Sequence, residues 1–398
     1  MGKKIKAVKV FVSNHKDIIP IKDVVKKWPE TADKQETDIS FVTRYIIEKK
    51  IKMLEWHEVE GEKINNEELE KLGLSHLNVD SILRVKSMKL AKTQLSFKPK
   101  AIAFDIEATE FEIGRGEIIM VSLVGENFKK VITSKHFHNA PEEVEFVKDE
   151  AELILRFKEI IKKERPDCLV GYFSDGFDLP YLRERAEKYK IRVDLGLDKS
   201  NISFIRGIIT SAKIKGTVHI DLFKFIDNVI SPTLKLETLS LDEVASELIG
   251  EKKLKIDLAK ITKKFKAKNF NSEELKHFCL YNLQDALLAF KLFEKLWPNI
   301  AELTRIVNEP LWNVTRAPYS SLVEHHIIHH LEPFNEIIKH RPIHKEIQKR
   351  RKAKKYAGAF VLEPKPGVYE RIAMFDFKSL YPSIIAVSYT HLTLPTKA

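Results

Sequence analysis

The amino-acid sequence predicts an α/β protein, α+β and multidomain over its full length, whose central layer is a mixed sheet. Three observations predict it. Strand-like runs follow one another three times from Ala101; helix-like and strand-like segments then alternate; and helical periodicity takes over beyond residue 300.

Residues 1–95 mix short strand-like runs such as KVFV with charged helical stretches near Phe41 and Asn66, and read as a small partial domain. Residues 96–300 form the α/β domain. AIAFDIEA is its first strand, IIMVSLVGE the second after a Gly-containing turn, and VITSKHF the third. EAELILRFKEIIKKERPD is an amphipathic helix with Leu153, Phe157, Ile160 and Ile161 on one stripe. CLVGYF is a buried strand, LPYLRERAEKYKI a helix with Pro180 near its first turn, and VHIDLFKFI another strand. LKLETLSLDEVASELIG and the strongly periodic SEELKHFCLYNLQDALLAFKLFEKLW are helices. Residues 301–370 are a helical connection ending in a basic run and a turn-rich loop, YAGAFVLEPKPG. RIAMFDF then opens a new strand, the start of a domain within residues 371–386.

Composition narrows the function classes. The chain has 398 residues, 43% hydrophobic and 31% charged, with no repeat and no low-complexity tract. Lys+Arg number 68 against Asp+Glu 57, a formal charge of +11, which favours a polyanionic partner. Cys168 and Cys279 form no CxxC pair and suggest neither a disulfide framework nor a zinc site. Lys9 interrupts the apolar run at the N-terminus before a signal-peptide core forms, and no stretch is apolar enough for a membrane span. The expected location is cytoplasmic, with no membrane partner. HHIIHH sets His325 with His329 and His326 with His330 at i,i+4, but without the Glu of HExxH or a third ligand it reads as a helix surface.

Asp105 and Glu107 lie two apart on a strand, so both side chains point to one face while Phe104 and Ile106 point to the other. Two acids on one face of an apolar strand repel and are costly to desolvate; a divalent cation compensates them. Taken alone, the pair reads more readily as a strand edge facing water. Asp178 follows a Ser-Asp-Gly turn at a helix start, where an N-capping acid is the plain alternative. Tyr281 and Asp285 share a helix face at i,i+4, and a solvated Asp beside a half-buried Tyr is the alternative there. Together, four carboxylates and a hydroxyl that can orient a water are the parts for two-metal phosphodiester hydrolysis.

FDIEA, GYFSDGFDLPYL and YNLQD resemble, in order and spacing, the three exonuclease motifs of B-family DNA polymerases, carried on an RNase H-like domain. LWNVTRAPYSSLVE, KYAGAFVLEPKPG and FDFKSLYPSII extend the resemblance over most of residues 30–386, nearest to archaeal replicative members. The resemblance implies a 3′→5′ proofreading nuclease in which Asp105, Glu107, Asp178 and Asp285 hold two Mg²⁺ (or Mn²⁺) ions, with Asp105 on both. Tyr281 orients the attacking water. One position departs from the family: Phe173 stands where the second motif usually has an Asn that helps to hold DNA.

YAGAF resembles the motif that contacts template, implying DNA-binding roles for Tyr356, Gly358 and Ala359; without the family it is a plain loop turn. Residues 345–355 carry seven Lys or Arg against one Glu, and either track phosphates or form a solvated face. FDFKSLYPSII resembles polymerase motif A, implying a metal on Asp376 and a nucleotide contact through Ser379, Leu380 and Tyr381, with Tyr381 excluding a 2′-OH. No Asp or Glu follows Asp376, so the second carboxylate of a polymerase site is missing. The chain is therefore expected to be a polymerase fragment shortened at both ends, with residues 387–398, VSYTHLTLPTKA, a non-native tail. Its implied partners are DNA as a primer 3′ end, single strand or primer-template, with dNTP and a sliding clamp left to a longer parent, and its implied setting is the nucleoid. A non-catalytic DNA-binding scaffold is the competing expectation, and Phe173 is its support. Its unpaired palm strand predicts an exposed apolar edge.

Overall fold

The computed structural model describes residues 4–12, 14–31, 35–207, 210–254, 271–342, 344–352 and 360–388. It divides into two units, residues 1–38 with 339–398, and residues 39–338. In the first unit the described elements are helical: a turn of 3₁₀ helix at His15–Asp17, then helices Ile18–Val25, His344–Lys352 and Leu380–Ser388. The strand expected at RIAMFDF does not form: residues 371–377 have no regular structure, and Met374 and Phe375 are more than nine-tenths exposed. A strand is stable only when its ladder is paired, and no described residue pairs with this one.

The second unit, residues 39–338, holds the core. An antiparallel ribbon, His57–Lys63 with Leu83–Leu90, precedes a six-stranded sheet. The six strands are β1 (Ala101–Ala108), β2 (Ile118–Gly125), β3 (Phe128–Thr133), β4 (Val144–Phe146), β5 (Cys168–Gly171) and β6 (Val218–Asp221), in spatial order β6-β5-β1-β2-β3-β4. β1 is antiparallel to β2 and parallel to β5, so the sheet is mixed as expected. Every residue of β2 is buried, which follows from its unbroken apolar run at the middle of the sheet.

Helices cover both faces. On one lie α1 (Glu150–Glu164) and α2 (Asp178–Lys188); on the other lie α3 (Leu241–Ile249) and α4 (Ser272–Val307). Asp149 caps α1 by accepting a hydrogen bond from Glu152 N at 2.9 Å, and the predicted apolar stripe is buried beneath it. β1 divides its residues by parity. Ile102, Phe104 and Ile106 join the α1/α2 core, whereas Ala101 and Ala103 join the α4 core with Ala286 and Ala289. Small residues on both surfaces let α4 approach the sheet closely, and the next two residues on that face of β1 are Asp105 and Glu107.

Several predicted elements differ in extent: the strand expected at VITSKHF runs instead over Phe128–Thr133, and that at CLVGYF ends at Gly171. VHIDLFKFI is strand only as far as Asp221, whose carboxylate accepts from Phe223 N at 3.1 Å and starts a helical turn, Leu222–Phe225. α3 begins at Leu241 because Ser240 caps it, leaving residues 234–240 outside the helix. α4 runs on through Pro298 to Val307, and its 36 residues extend about 54 Å. Among the described residues no helix is long and apolar enough to cross a membrane.

Candidate active site

β1, α2 and α4 converge on one cluster of acids. Asp105 faces Ser122 across the β1–β2 ladder, and Ser122 Oγ donates to the Asn282 carbonyl of α4 at 2.7 Å. The Asn282 amide in turn donates to Asp105 Oδ2 at 2.7 Å. These two bonds fix the rotation of α4 so that Asp285 comes over β1: carboxylate oxygens of Asp105, Glu107 and Asp285 lie within 4.8 Å of one another. A bulge between Glu107 and Ala108 ends the regular pairing just after the second acid.

Asp178 joins the group by a different route. It does not cap α2; Phe177 is the N-cap residue and makes no side-chain cap. Instead Asp178 Oδ1 accepts a hydrogen bond from Ile106 N at 3.1 Å, the backbone between the two β1 acids. The turn before it is held by Asp221 at the end of β6. Asp221 Oδ1 accepts from Phe173 N at 2.9 Å and Oδ2 from Asp175 N at 3.0 Å. Asp175 is fully buried; it accepts from Ala212 N at 2.6 Å and Arg316 Nε at 2.8 Å, with Lys224 Nζ at 3.0 Å. His219 Nε2 lies 2.9 Å from Ser174 Oγ, completing the brace around the turn.

The electrostatics are those of an uncompensated acid site. Burial raises all four carboxyls above their ordinary values: Asp105 well above, with Asp285, Asp178 and Glu107 adding repulsion, and Glu107 to about 8. Among the described residues, Lys253 opposes the upward shift of Asp105, Glu107 and Asp285. Its ammonium pairs with Asp285 and lies 4.5 Å from the centre of the Tyr281 ring. Burial works against that charge, yet Asp285 and Tyr281 hold the Lys253 pKa above normal. Burial, then the Asp285 charge, push the Tyr281 hydroxyl upward. Asp285 Oδ1 is buried without a hydrogen-bond partner. An orphaned carboxylate oxygen beside two more acids fits a divalent cation, whose ligands are hard oxygens.

Asp105, Glu107, Asp178, Tyr281 and Asp285, the residues singled out in the sequence, thus lie in one region of the fold. Lys253, Asn282, Asp175, His219, Asp221 and Arg316 were missed. Asn282 lies inside YNLQD and Asp221 ends a buried strand, so both stood beside visible signals. Lys253 and Arg316 carried none, because their partners are distant in sequence.

The residues of the second resemblance are not gathered into a site. Asp376 is exposed in an irregular segment, Ser379 has φ +53°, Leu380 opens a helix and Tyr381 is 78% exposed. Tyr356, Gly358 and Ala359 lie outside the described residues. Lys345–Lys352 falls on an exposed helix. Of the histidines, His326 and His330 have ring centres 4.4 Å apart, tilted by 40°, but His329 points inward, with Nε2 3.0 Å from Glu309 Oε1, where a surface was expected.

The model of the DNA polymerase family B exonuclease domain matches residues 32–244, and that of DNA polymerase family B matches residues 314–397. The chain belongs to the family B DNA polymerases. It is similar to a DNA polymerase of Pyrococcus glycovorans, 33% identical over 97% of this chain and 44% of that protein. A DNA polymerase of Thermococcus gorgonarius is 31% identical over the same shares, so the chain spans less than half the length of these relatives. In structure it resembles the family B DNA polymerase of the archaeon Pyrobaculum calidifontis, with a TM-score of 0.69 and 23% identity over 89% of this chain and 43% of that one.

Proposed function

We propose that this chain is part of a replicative DNA-directed DNA polymerase and that residues 96–300 perform its 3′→5′ proofreading, hydrolysing the terminal phosphodiester of a DNA strand. The observation that carries this is the acid cluster itself: three carboxylates within 4.8 Å, on a strand and a helix held in register by Ser122 and Asn282. Asp105, Glu107, Asp178 and Asp285 are the residues that would hold two Mg²⁺ or Mn²⁺ ions. When bound, such ions stabilise charge on the attacking and leaving oxygens.

The remaining roles belong to the protein's own groups. Tyr281, with its hydroxyl kept protonated by burial, orients a water beside Asp285. Lys253 holds Tyr281 and Asp285 in one arrangement and adds a positive charge next to a phosphate. Asp178 keeps the strand backbone between the acids fixed through Ile106 N. Asp376 retains its proposed metal-holding role and Ser379, Leu380 and Tyr381 their nucleotide contacts, as Tyr356, Gly358 and Ala359 retain theirs with template, within a longer polymerase that also binds dNTP and a sliding clamp.

The test is degradation of 5′-labelled single-stranded DNA with Mg²⁺ or with EDTA. Ladder formation from the 3′ end should require metal and fall roughly thousandfold in Asp105→Ala/Glu107→Ala, since several kcal/mol of charge stabilisation is lost. Intact DNA binding without degradation by the unmodified chain would instead establish the scaffold.

A further inference from the structure

Phe173 is the strained residue nearest the site in sequence. Its φ is +61°, a left-handed backbone that a bulky side chain rarely adopts. The strain is held from both sides. Its N–H donates to Asp221 Oδ1 at 2.9 Å, and its carbonyl accepts from Gly176 N at 2.9 Å and Phe177 N at 3.0 Å. Those two bonds form the turn that delivers Asp178 to the acid cluster, so the Phe173 ring is anchored one hydrogen-bonded turn ahead of a proposed metal ligand.

The same backbone presents the ring to solvent. Phe173 is 38% exposed and is supported from behind by Phe223, edge-to-face at 5.1 Å and 84°. Phe223 is itself set at 75° to Tyr172, with ring centres 6.0 Å apart. Gly176 leaves the space into which the ring folds: a Cβ there would lie 2.5 Å from Phe173 Cζ. Here a strained backbone, a buried carboxylate and the space over Gly176 fix the ring in this partly exposed position.

We propose that Phe173 is a stacking platform for a base at the 3′ end of the strand being hydrolysed. This rests on the nuclease function proposed above and names how the strand is gripped. An aromatic face accepts any base, because every base has a π-face, whereas a hydrogen-bonding side chain reads edges or backbone. The chain then holds a terminal nucleotide by its base at this position, and an end without bases escapes.

The experiment uses the full chain and two 5′-labelled oligonucleotides, one ending in thymidines and one with abasic residues at its last two positions. The unmodified chain should favour the base-bearing end by at least about fivefold in kcat/KM, chiefly through KM. Phe173→Leu should bring that ratio close to one, Phe173→Trp should preserve it, and Gly176→Ala, which pushes the ring aside, should reduce it. Equal losses on both ends in Phe173→Leu would mean a purely structural role, and an unchanged ratio would also overturn the proposal.

Should the unmodified chain cut neither end, the nuclease proposal fails and stacking is read separately by 2-aminopurine at the 3′ terminus. Quenching on binding that is lost in Phe173→Leu would uphold the platform; equal quenching in both would refute it.

Discussion

Asp105 and Glu107 sit on β1 with little to neutralise them, and their protonation couples to folding. Their folded pKa values lie above the ordinary 3.8 and 4.5, Glu107 at about 8. Between about pH 4 and 8 the folded state therefore holds more protons than the unfolded one, and stability falls as pH rises. The thermal midpoint of EDTA-treated protein should drop from pH 5 to pH 8, and Mg²⁺ should restore it at pH 8. Asp105→Asn/Glu107→Gln should flatten the profile and remove the response to metal; an unchanged slope would show that other groups set it. Lys253 competes for Asp285, so Lys253→Met should tighten Mn²⁺ binding by severalfold in calorimetric titration, and weaker binding would contradict that competition. At this scale the sequence was readable where chemistry followed a period: DxE at two on a strand, YxxxD at four on a helix. Lys253 obeys no period with its partners and stayed hidden.

The elements convert those spacings into a site through a few buried bonds. Ser122 and Asn282 fix α4 against β2 and β1, and a periodic pattern records only that α4 has an apolar face, not its rotation to the nearest residue. Asn282→Ala should cost about 1–3 kcal/mol in urea unfolding, as expected when a buried carboxyl loses its hydrogen-bond donor; a cost near zero would mean that packing alone sets the rotation. Asp175 braces the turn before α2. Burial opposes its charge, but His219 and Arg316 outweigh burial and hold its pKa below normal. Its contribution is thus present above about pH 4 and lost as pH falls below that. Asp175→Asn should destabilise by about 3–5 kcal/mol at pH 7, leaving Arg316 unpaired, and by clearly less at pH 3; equal losses at both would exclude the ionised carboxylate. RIAMFDF shows where the pattern misled: an apolar run signals a strand only if something pairs with it.

Over the whole molecule, the mixed sheet and its covering helices were legible because strand and helix periods differ so strongly along residues 101–297. The extension of α4 past Pro298 and the brace through Arg316 were not, since both depend on tertiary contacts. The +11 charge makes a prediction of its own. With three phosphates engaged, single-stranded DNA affinity should fall roughly twentyfold between about 50 and 200 mM salt, and a flat salt profile by anisotropy would rule out phosphate-driven binding. The bond between Asn282 and Asp105 also sets a timetable. It joins residues 177 positions apart, and at about 5–20 residues per second a ribosome needs roughly ten to thirty-five seconds to cover that span. Through that interval the newborn β1 carries its acids and its alanine face with no helix to receive them. The finished acid cluster exists only once the last of its contributors has left the exit tunnel, so a synthesis pause before Asn282 should lengthen the period in which chaperones hold the chain.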